Sequence, residues 1–219
     1  TLSHINELGI NNIFLATGSN WRKDGVGRSR RKPVQGLDAL HVLTPEEAIK
    51  QSPNLSGPIV VYDDEQGYLA GVIADHLSFD EHEVIFITPA SVVSPWTEST
   101  LEQKRIQKAL LVSGVNVICN KTIDKAEGSN LNLKCVFTGE ISLLKCSSLV
   151  MVTERIPNTT LYDQLVEQEN NNEQGEAKHI QLIGDAESPG LIADAVFLGH
   201  LAAQSFEEPE QEIQKAMFM

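Results

Sequence analysis

The run GPIVVYDDEQGYLAGVIADHLSFDEHEVIFITPA, residues 57–90, constrains the fold more than any other part of the chain. The apolar block Ile59–Tyr62 lacks polar alternation, which suits a strand covered on both faces and therefore a parallel sheet. A turn follows, then a helical stretch over about Tyr68–Leu77 and a second apolar block over Glu83–Thr88. Strand, helix and strand within about 30 residues make a βαβ unit.

The rest of the chain repeats this grammar. NNIFLATGS predicts a buried strand over Asn12–Ala16 ending near Gly18, followed by a glycine- and arginine-rich loop. LTPEEAIKQ opens a helix, with Thr44 as N-cap, Pro45 at the first position and Glu47 three residues after the cap. Leu101, Ile106, Ala109, Leu110 and Val112 recur at helical spacing before Gly114, and VNVIC then reads as a strand. LNLKCVF and EISLLKC alternate as a small antiparallel meander does. SSLVMVTERIPNTTLYDQLVEQ reads as strand, turn and helix, and EQENNNEQGEAKH as an unstructured polar loop. LIGDAESPGLIADAVFLGH closes the pattern with a strand over Ile180–Ile183 and a helix over about Leu191–Phe206. Interleaved strands and helices with one meander predict an α/β chain built on parallel sheet.

A βαβ unit that binds a dinucleotide carries G-x-G-x-x-G/A between its first strand and its helix. The segment in that place is Glu65-Gln66-Gly67-Tyr68-Leu69-Ala70. Gly67 and Ala70 fit the second and third positions, but Glu65 stands where the tight turn needs glycine. With Asp63 and Asp64 it makes three acids at a helix N-terminus that should hold an anion. Like charges about 4–6 Å apart and partly buried cost on the order of 1–4 kcal/mol. The ribose acid expected roughly 20 residues further on is also missing, because Thr88-Pro89 stands there. The pattern predicts a nucleotide-type fold without its nucleotide. Gly184-Asp185 suits two roles: a carboxylate for sugar or ribityl hydroxyls beside a close-approach glycine, or a cap on the following turn. Thr17-Gly18 is similarly a ligand-facing strand end or only a turn.

Composition narrows the partners. The 219 residues are 41% hydrophobic and 21% charged with a net charge of −13, an ordinary globular composition without the basic stripe that nucleic acid or an anionic membrane requires. The acidity serves solubility or a protein docking face. No apolar run is long enough to span a bilayer, and no secretion signal opens the chain. Cys119, Cys135 and Cys146 lack CxxC spacing and read as reduced, strand-borne thiols of a cytoplasmic protein. The six histidines show no metal spacing, and no nucleophile elbow is present. GRSRRKP, residues 27–33, is the one basic cluster, either a solvated loop or a contact for another domain or a phosphate. Thr1 in place of an initiator methionine suggests a piece of something longer.

Taken in order, IFLATGSNWRKDGVGR, LTPEEAI, the altered βαβ, VTERIPNT and LIGDAESPGLIADAVFLGH resemble the C-terminal part of the trimethylamine dehydrogenase-like flavoenzymes, over about Asn12 to Glu208. That group includes dimethylamine and histamine dehydrogenases and is related to dienoyl-CoA reductase and old yellow enzyme. ERIPN is a weaker echo of the GRxPN of two-dinucleotide-domain flavoproteins, with Glu154 in the glycine's place. The resemblance implies an upstream (β/α)8 barrel carrying FMN and a 4Fe-4S cluster, and a glycine-rich phosphate loop some distance before Thr1. It implies a partial FAD/ADP-type α/β domain over 1–54 and 150–208, a Rossmann-like NAD-type domain with the meander over 55–149, and a tail over 209–219. Thr17, Gly18, Gly184 and Asp185 would face ADP or FAD; Glu65, Gly67 and Ala70 would form an empty NAD loop. The partners implied are the barrel of the same chain and an electron-transfer flavoprotein. Three functions stay open: a structural appendage to a flavin-dependent oxidoreductase, an active NAD(P)H module feeding a flavin, and a ligand-free interaction domain.

Overall fold

The structure, a computed structural model, describes residues 1–55, 57–171 and 179–206. Most of the expected polar loop and the expected tail over 209–219 lie outside the described residues. In chain order the elements are α1 (Leu2–Leu8), β1 (Asn12–Leu15), β2 (Ser19–Trp21), β3 (His41–Leu43), α2 (Pro45–Gln51), β4 (Ile59–Asp63), α3 (Leu69–Phe79), β5 (Val84–Ile87), α4 (Gln103–Val112) and β6 (Asn116–Ile118). They continue with β7 (Lys121–Glu127), β8 (Asn130–Cys135), β9 (Ile141–Lys145), β10 (Ser148–Val152), β11 (Arg155–Pro157), α5 (Thr160–Asn170), β12 (His179–Leu182) and α6 (Ile192–Ser205). The fold is mixed α/β, and it divides into two units named by their order in the sequence: an inner unit, Trp21–Glu154, and an outer unit made of the flanking stretches Thr1–Asn20 and Arg155–Met219.

The inner unit is built on a five-stranded parallel sheet in the order β3-β10-β4-β5-β6. Every residue of β4, β5 and β10 is buried, which is why those segments read as unbroken apolar runs. The period-2 rule sorts their side chains between two covers. Val61, Phe86 and Val150 pack with Ala70, Ile73, Ala74 and Leu77 of α3. Val60, Tyr62, Ile85 and Met151 pack on the other face with Ile123, Leu131 and Leu133 of the antiparallel meander β7-β8-β9. Each fully buried Val, Leu, Ile, Phe or Met side chain among them contributes about 1.5–3 kcal/mol. The expected capping box on α2 forms: the Glu47 N–H donates to Thr44 Oγ1 at 3.3 Å, and the Thr44 N–H to Glu47 Oε2 at 2.9 Å.

Residues 21–54 cluster with the inner unit. The reason is β3, which pairs in parallel with β10 at the edge of the inner sheet. Three-residue strands such as β2, β3 and β11 carry too little pattern to be read in advance. Two findings concern helices. The chain begins with α1, a helix without buried residues, before reaching the first strand. Leu101 stands outside α4: it lies in a turn at φ +63 and is 91% exposed, so the helical spacing that included it was accidental.

The outer unit has a two-stranded parallel sheet of β1 and β12, with Ile13, Leu15 and Leu165 as its small core. In α6 only Ala202 is buried, and Ile192, Val196 and Phe197 are 80%, 54% and 54% exposed.

Candidate functional site

In the inner unit the strand order reverses between β10 and β4, since β5 and β6 extend to one side of β4 and β10 lies on the other. Doubly wound sheets bind ligands in the crevice beyond the carboxyl ends of the strands at such a point. Here β4 ends at Asp63 opposite Val152 of β10, and the Asp64 and Glu65 N–H groups both donate to the Val152 carbonyl at 2.9 and 3.0 Å. The turn into α3 then folds back on its own carboxylates. Asp63 Oδ1 accepts the Gln66 N–H at 2.7 Å, and Glu65 Oε2 accepts the Gly67 N–H at 2.8 Å. Gln66 takes the left-handed conformation at φ +67, and its carbonyl accepts the Trp96 N–H at 3.2 Å. A Cβ on Gly67 would fall 2.5 Å from Glu65 Oε2, so the space this glycine opens holds the chain's own carboxylate. Ala70 lies fully buried in the core beneath α3.

The loop between β2 and β3 covers this turn. Asp64 accepts the Ser29 N–H at 2.9 Å and the Ser29 hydroxyl at 2.6 Å. Arg28 lies 5.0 Å from the Trp96 ring centroid, within cation–π range. Arg30 donates to the carbonyls of Ile123 and Asp124 at 3.1 and 2.9 Å. The basic cluster is therefore engaged within the inner unit at Arg28 and Arg30. Burial raises the carboxyl of Asp63 well above its ordinary value, Asp64 and Glu65 push it the same way, and Arg28 pulls it back. Asp64 is raised too, chiefly by burial, with the Ser29 hydroxyl opposing. Asp63 Oδ2 and Thr153 Oγ1, at neighbouring strand ends, are among the few buried side-chain atoms of the described residues without a hydrogen-bond partner.

The outer unit gathers the other expected residues. Thr17 Oγ1 donates to the Asn158 carbonyl at 2.6 Å, and the Asn158 N–H returns to the Gly18 carbonyl at 2.9 Å. Gly18 has φ +74 and nothing within 4 Å of where a Cβ would sit, which leaves its backbone open to close approach. Asp185 follows Gly184 in a short 3₁₀ turn. Its Oδ2 accepts from Arg155 at 2.5 Å and from the Ser19 hydroxyl at 3.1 Å, and its Oδ1 accepts the Gly190 N–H at 3.1 Å. Arg155 also donates to the Gly190 carbonyl at 2.6 Å. Neither the Arg155 clamp nor the Ser29 contact was foreseen. The arginine of ERIPN and the pairing of one basic cluster with three adjacent acids were the available signals. The three cysteines are free, and among the described residues no group of three or more His, Cys, Asp or Glu is placed to hold a metal ion. No described helix is long and apolar enough to cross a membrane.

No protein-family model matches the chain. Dimethylamine dehydrogenase of Hyphomicrobium sp. (strain x) is 27% identical over 235 residues, which cover 98% of this chain and 32% of that protein. The solved histamine dehydrogenase from Rhizobium sp. 4-9 superposes with a TM-score of 0.90 at 32% identity, over 96% of this chain and 33% of that one. The 6-hydroxypseudooxynicotine amine oxidase from Pseudomonas geniculata N1 gives a TM-score of 0.87 at 29% identity, over 94% and 30%. A thioredoxin reductase of T. acidophilum, at 16% identity and a TM-score of 0.59, shares the fold alone. The chain spans about a third of the length of its amine-oxidising relatives. It is homologous to the C-terminal part of the trimethylamine dehydrogenase-like enzymes.

Proposed function

We propose that the chain is the nucleotide-domain part of a flavin-dependent oxidoreductase of the amine dehydrogenase type, acting as a structural appendage whose inner unit takes no NAD(H). One observation carries this reading: the N–H groups of Gln66 and Gly67, which a diphosphate would need, are bonded to Asp63 and Glu65. A dinucleotide would have to displace Glu65 and bring its own negative charge against those acids, so the residues present do not fit it.

The outer unit fits a nucleotide better. Gly18 and Gly184 allow close backbone approach, and Asp185 Oδ1, which accepts the Gly190 N–H, has capacity left for a ribose or ribityl hydroxyl. ADP or FAD bound there would need the phosphate loop of the longer protein. FMN and 4Fe-4S chemistry belongs on a (β/α)8 domain outside this chain, a placement supported by the chain's matching only about a third of each amine-oxidising relative. Two parallel strands make a poor sheet by themselves, and α6 exposes Ile192, Val196 and Phe197. Both features support a further part of the same protein covering the outer unit. An electron-transfer flavoprotein is a partner suited to the acidic surface implied by the net charge of −13.

Calorimetric titration with NADH, NADPH, ADP and FAD tests the reading. No heat with NADH or NADPH is expected; ADP or FAD, which need that loop, are expected to bind the longer protein and not this chain alone. NADH binding with Kd of about 10 μM or tighter, some −7 kcal/mol, would overturn it.

A further inference from the structure

We propose that the segment Gly25–Ser29 is a built-in ligand of the crevice at the carboxyl ends of β4 and β10, latched there by the Asp64 carboxylate. The proposal rests on the reading that the inner unit takes no dinucleotide, and it names what takes that place. Three independent contacts seat the segment. Gly27 is buried, and a Cβ on it would fall 2.4 Å from Asp64 Oδ2 and 3.2 Å from Thr153 Cβ, so its backbone lies against the ends of both strands. Ser29 gives Asp64 two donors, its N–H at 2.9 Å and its hydroxyl at 2.6 Å. Arg28 stacks over Trp96, whose own N–H is fixed to the Gln66 carbonyl of the turn before α3.

The segment is shaped for this position before it meets the crevice. Arg22 grips Asp24 through two hydrogen bonds of 2.9 and 2.6 Å, and Asp24 Oδ1 accepts the Val26 N–H at 3.1 Å. The Gly27 N–H closes on the Arg30 carbonyl at 2.9 Å, and the Val34 N–H on the Asp24 carbonyl at 2.8 Å. Charge runs the same way: Arg28, from the one basic cluster of an acidic chain, acts on both Asp63 and Asp64. A diphosphate is an anion that needs cationic or N–H partners, whereas this crevice is an acidic site that needs donors. Ser29 and Arg28 supply them.

Trypsin provides the assay, because the bonds after Arg28, Arg30 and Arg31 lie in or beside the segment while Lys104, Arg105 and Lys108 on α4 serve as an internal reference. In Asp64→Asn the side chain loses its charge and keeps one acceptor oxygen, while its amide NH2 replaces the second acceptor facing Ser29. The ratio of loop cleavage to α4 cleavage is expected to rise about tenfold as the latch opens. Ser29→Ala, which removes only the hydroxyl and leaves the fold untouched, should raise it about threefold. A ratio unchanged in both variants overturns the latch, including the case in which both regions become equally labile through general unfolding. NADH titration of the wild type is read separately. Binding there would sink the empty-site reading, whereas an unchanged cleavage ratio sinks the latch and leaves that reading standing.

Discussion

Replacing Asp63 by asparagine isolates the electrostatic character of the inner site. Asp63 is fully buried; Oδ1 accepts the Gln66 N–H at 2.7 Å, and Oδ2 has no partner among the described residues. Burial, with Asp64 and Glu65 adding to it, lifts its carboxyl well above the ordinary value. The folded state therefore holds a proton that the unfolded chain gives up near pH 4. Stability from this group is complete below that pH and is lost as pH climbs through the raised folded value. Within that window each pH unit removes about 1.4 kcal/mol. An asparagine at this position would keep an acceptor for the Gln66 N–H but never ionise. Its unpartnered amide adds a penalty of about 1–3 kcal/mol that does not change with pH. The signature is thus a slope: the stability of the variant relative to wild type should rise with pH from about pH 4 and then level off. Trp21 and Trp96 are the only tryptophans and both lie in the inner unit, so urea unfolding followed by their fluorescence reads that unit. A stability difference that is flat across the range, or that falls as pH rises, would refute the argument.

Gly36→Ala should destabilise the inner unit by on the order of 3 kcal/mol, because the position has φ +80 and a Cβ there would lie 2.0 Å from the Ala126 carbonyl oxygen. The same fluorescence-detected urea titration checks it. Arg155→Met should strip the guanidinium from Asp185, leaving the Ser19 hydroxyl and the Gly190 N–H on its carboxylate. The cost to the outer unit is about 2 kcal/mol, read as faster hydrogen exchange at the β1 and β12 amides. Alkylation at neutral pH should label Cys135 first, since the Thr138 hydroxyl and neighbouring N–H groups bring its thiol down to about 7. Cys146, pushed up to about 12 by burial and 2% exposed, should react only on unfolding; peptide mass spectrometry separates the two.

The elements legible in the sequence are those whose burial pattern is local. β4, α3, β5 and β10 announce themselves because every strand residue is buried and α3 repeats its apolar face, and the α2 start is set by Thr44, Pro45 and Glu47 within one turn. The short strand β3 was invisible because its place depends on β10, more than a hundred residues later in the register His41 to Ser148. The site shows the same division. Glu65 beside Gly67 was readable within three residues, and its carboxylate closes on the Gly67 N–H. The closure of Ser29 on Asp64 spans 35 positions and that of Arg155 on Asp185 spans 30, distances over which residue spacing has no force. What the sequence did hold was the charge imbalance, a basic cluster and an acidic triplet in one chain, without their pairing.

On the proposed reading, the inner site keeps a phosphate-binding architecture without its phosphate. The N-terminus of α3 carries the positive end of the helix dipole and favours an anion next to it whatever the function. In a working site the ligand fills that role and the turn stays free of acids. Here Asp63 and Glu65 occupy the two N–H groups from within, which on the proposed reading takes the place of a ligand. The gain brings a cost, because burial lifts the carboxyls of Asp63 and Asp64, and at Asp63 the neighbouring Glu65 and Asp64 add to the lift. Ser29 and Arg28 offset that cost with two hydrogen bonds and a nearby positive charge. Restoring glycine at 65 would therefore clear only one of three obstacles. Asp63 would still hold the Gln66 N–H, and Gly27 and Ser29 would still lie over Asp64. On the proposed reading, exclusion of a dinucleotide from this crevice is a property of the whole strand-end cluster, not of one position.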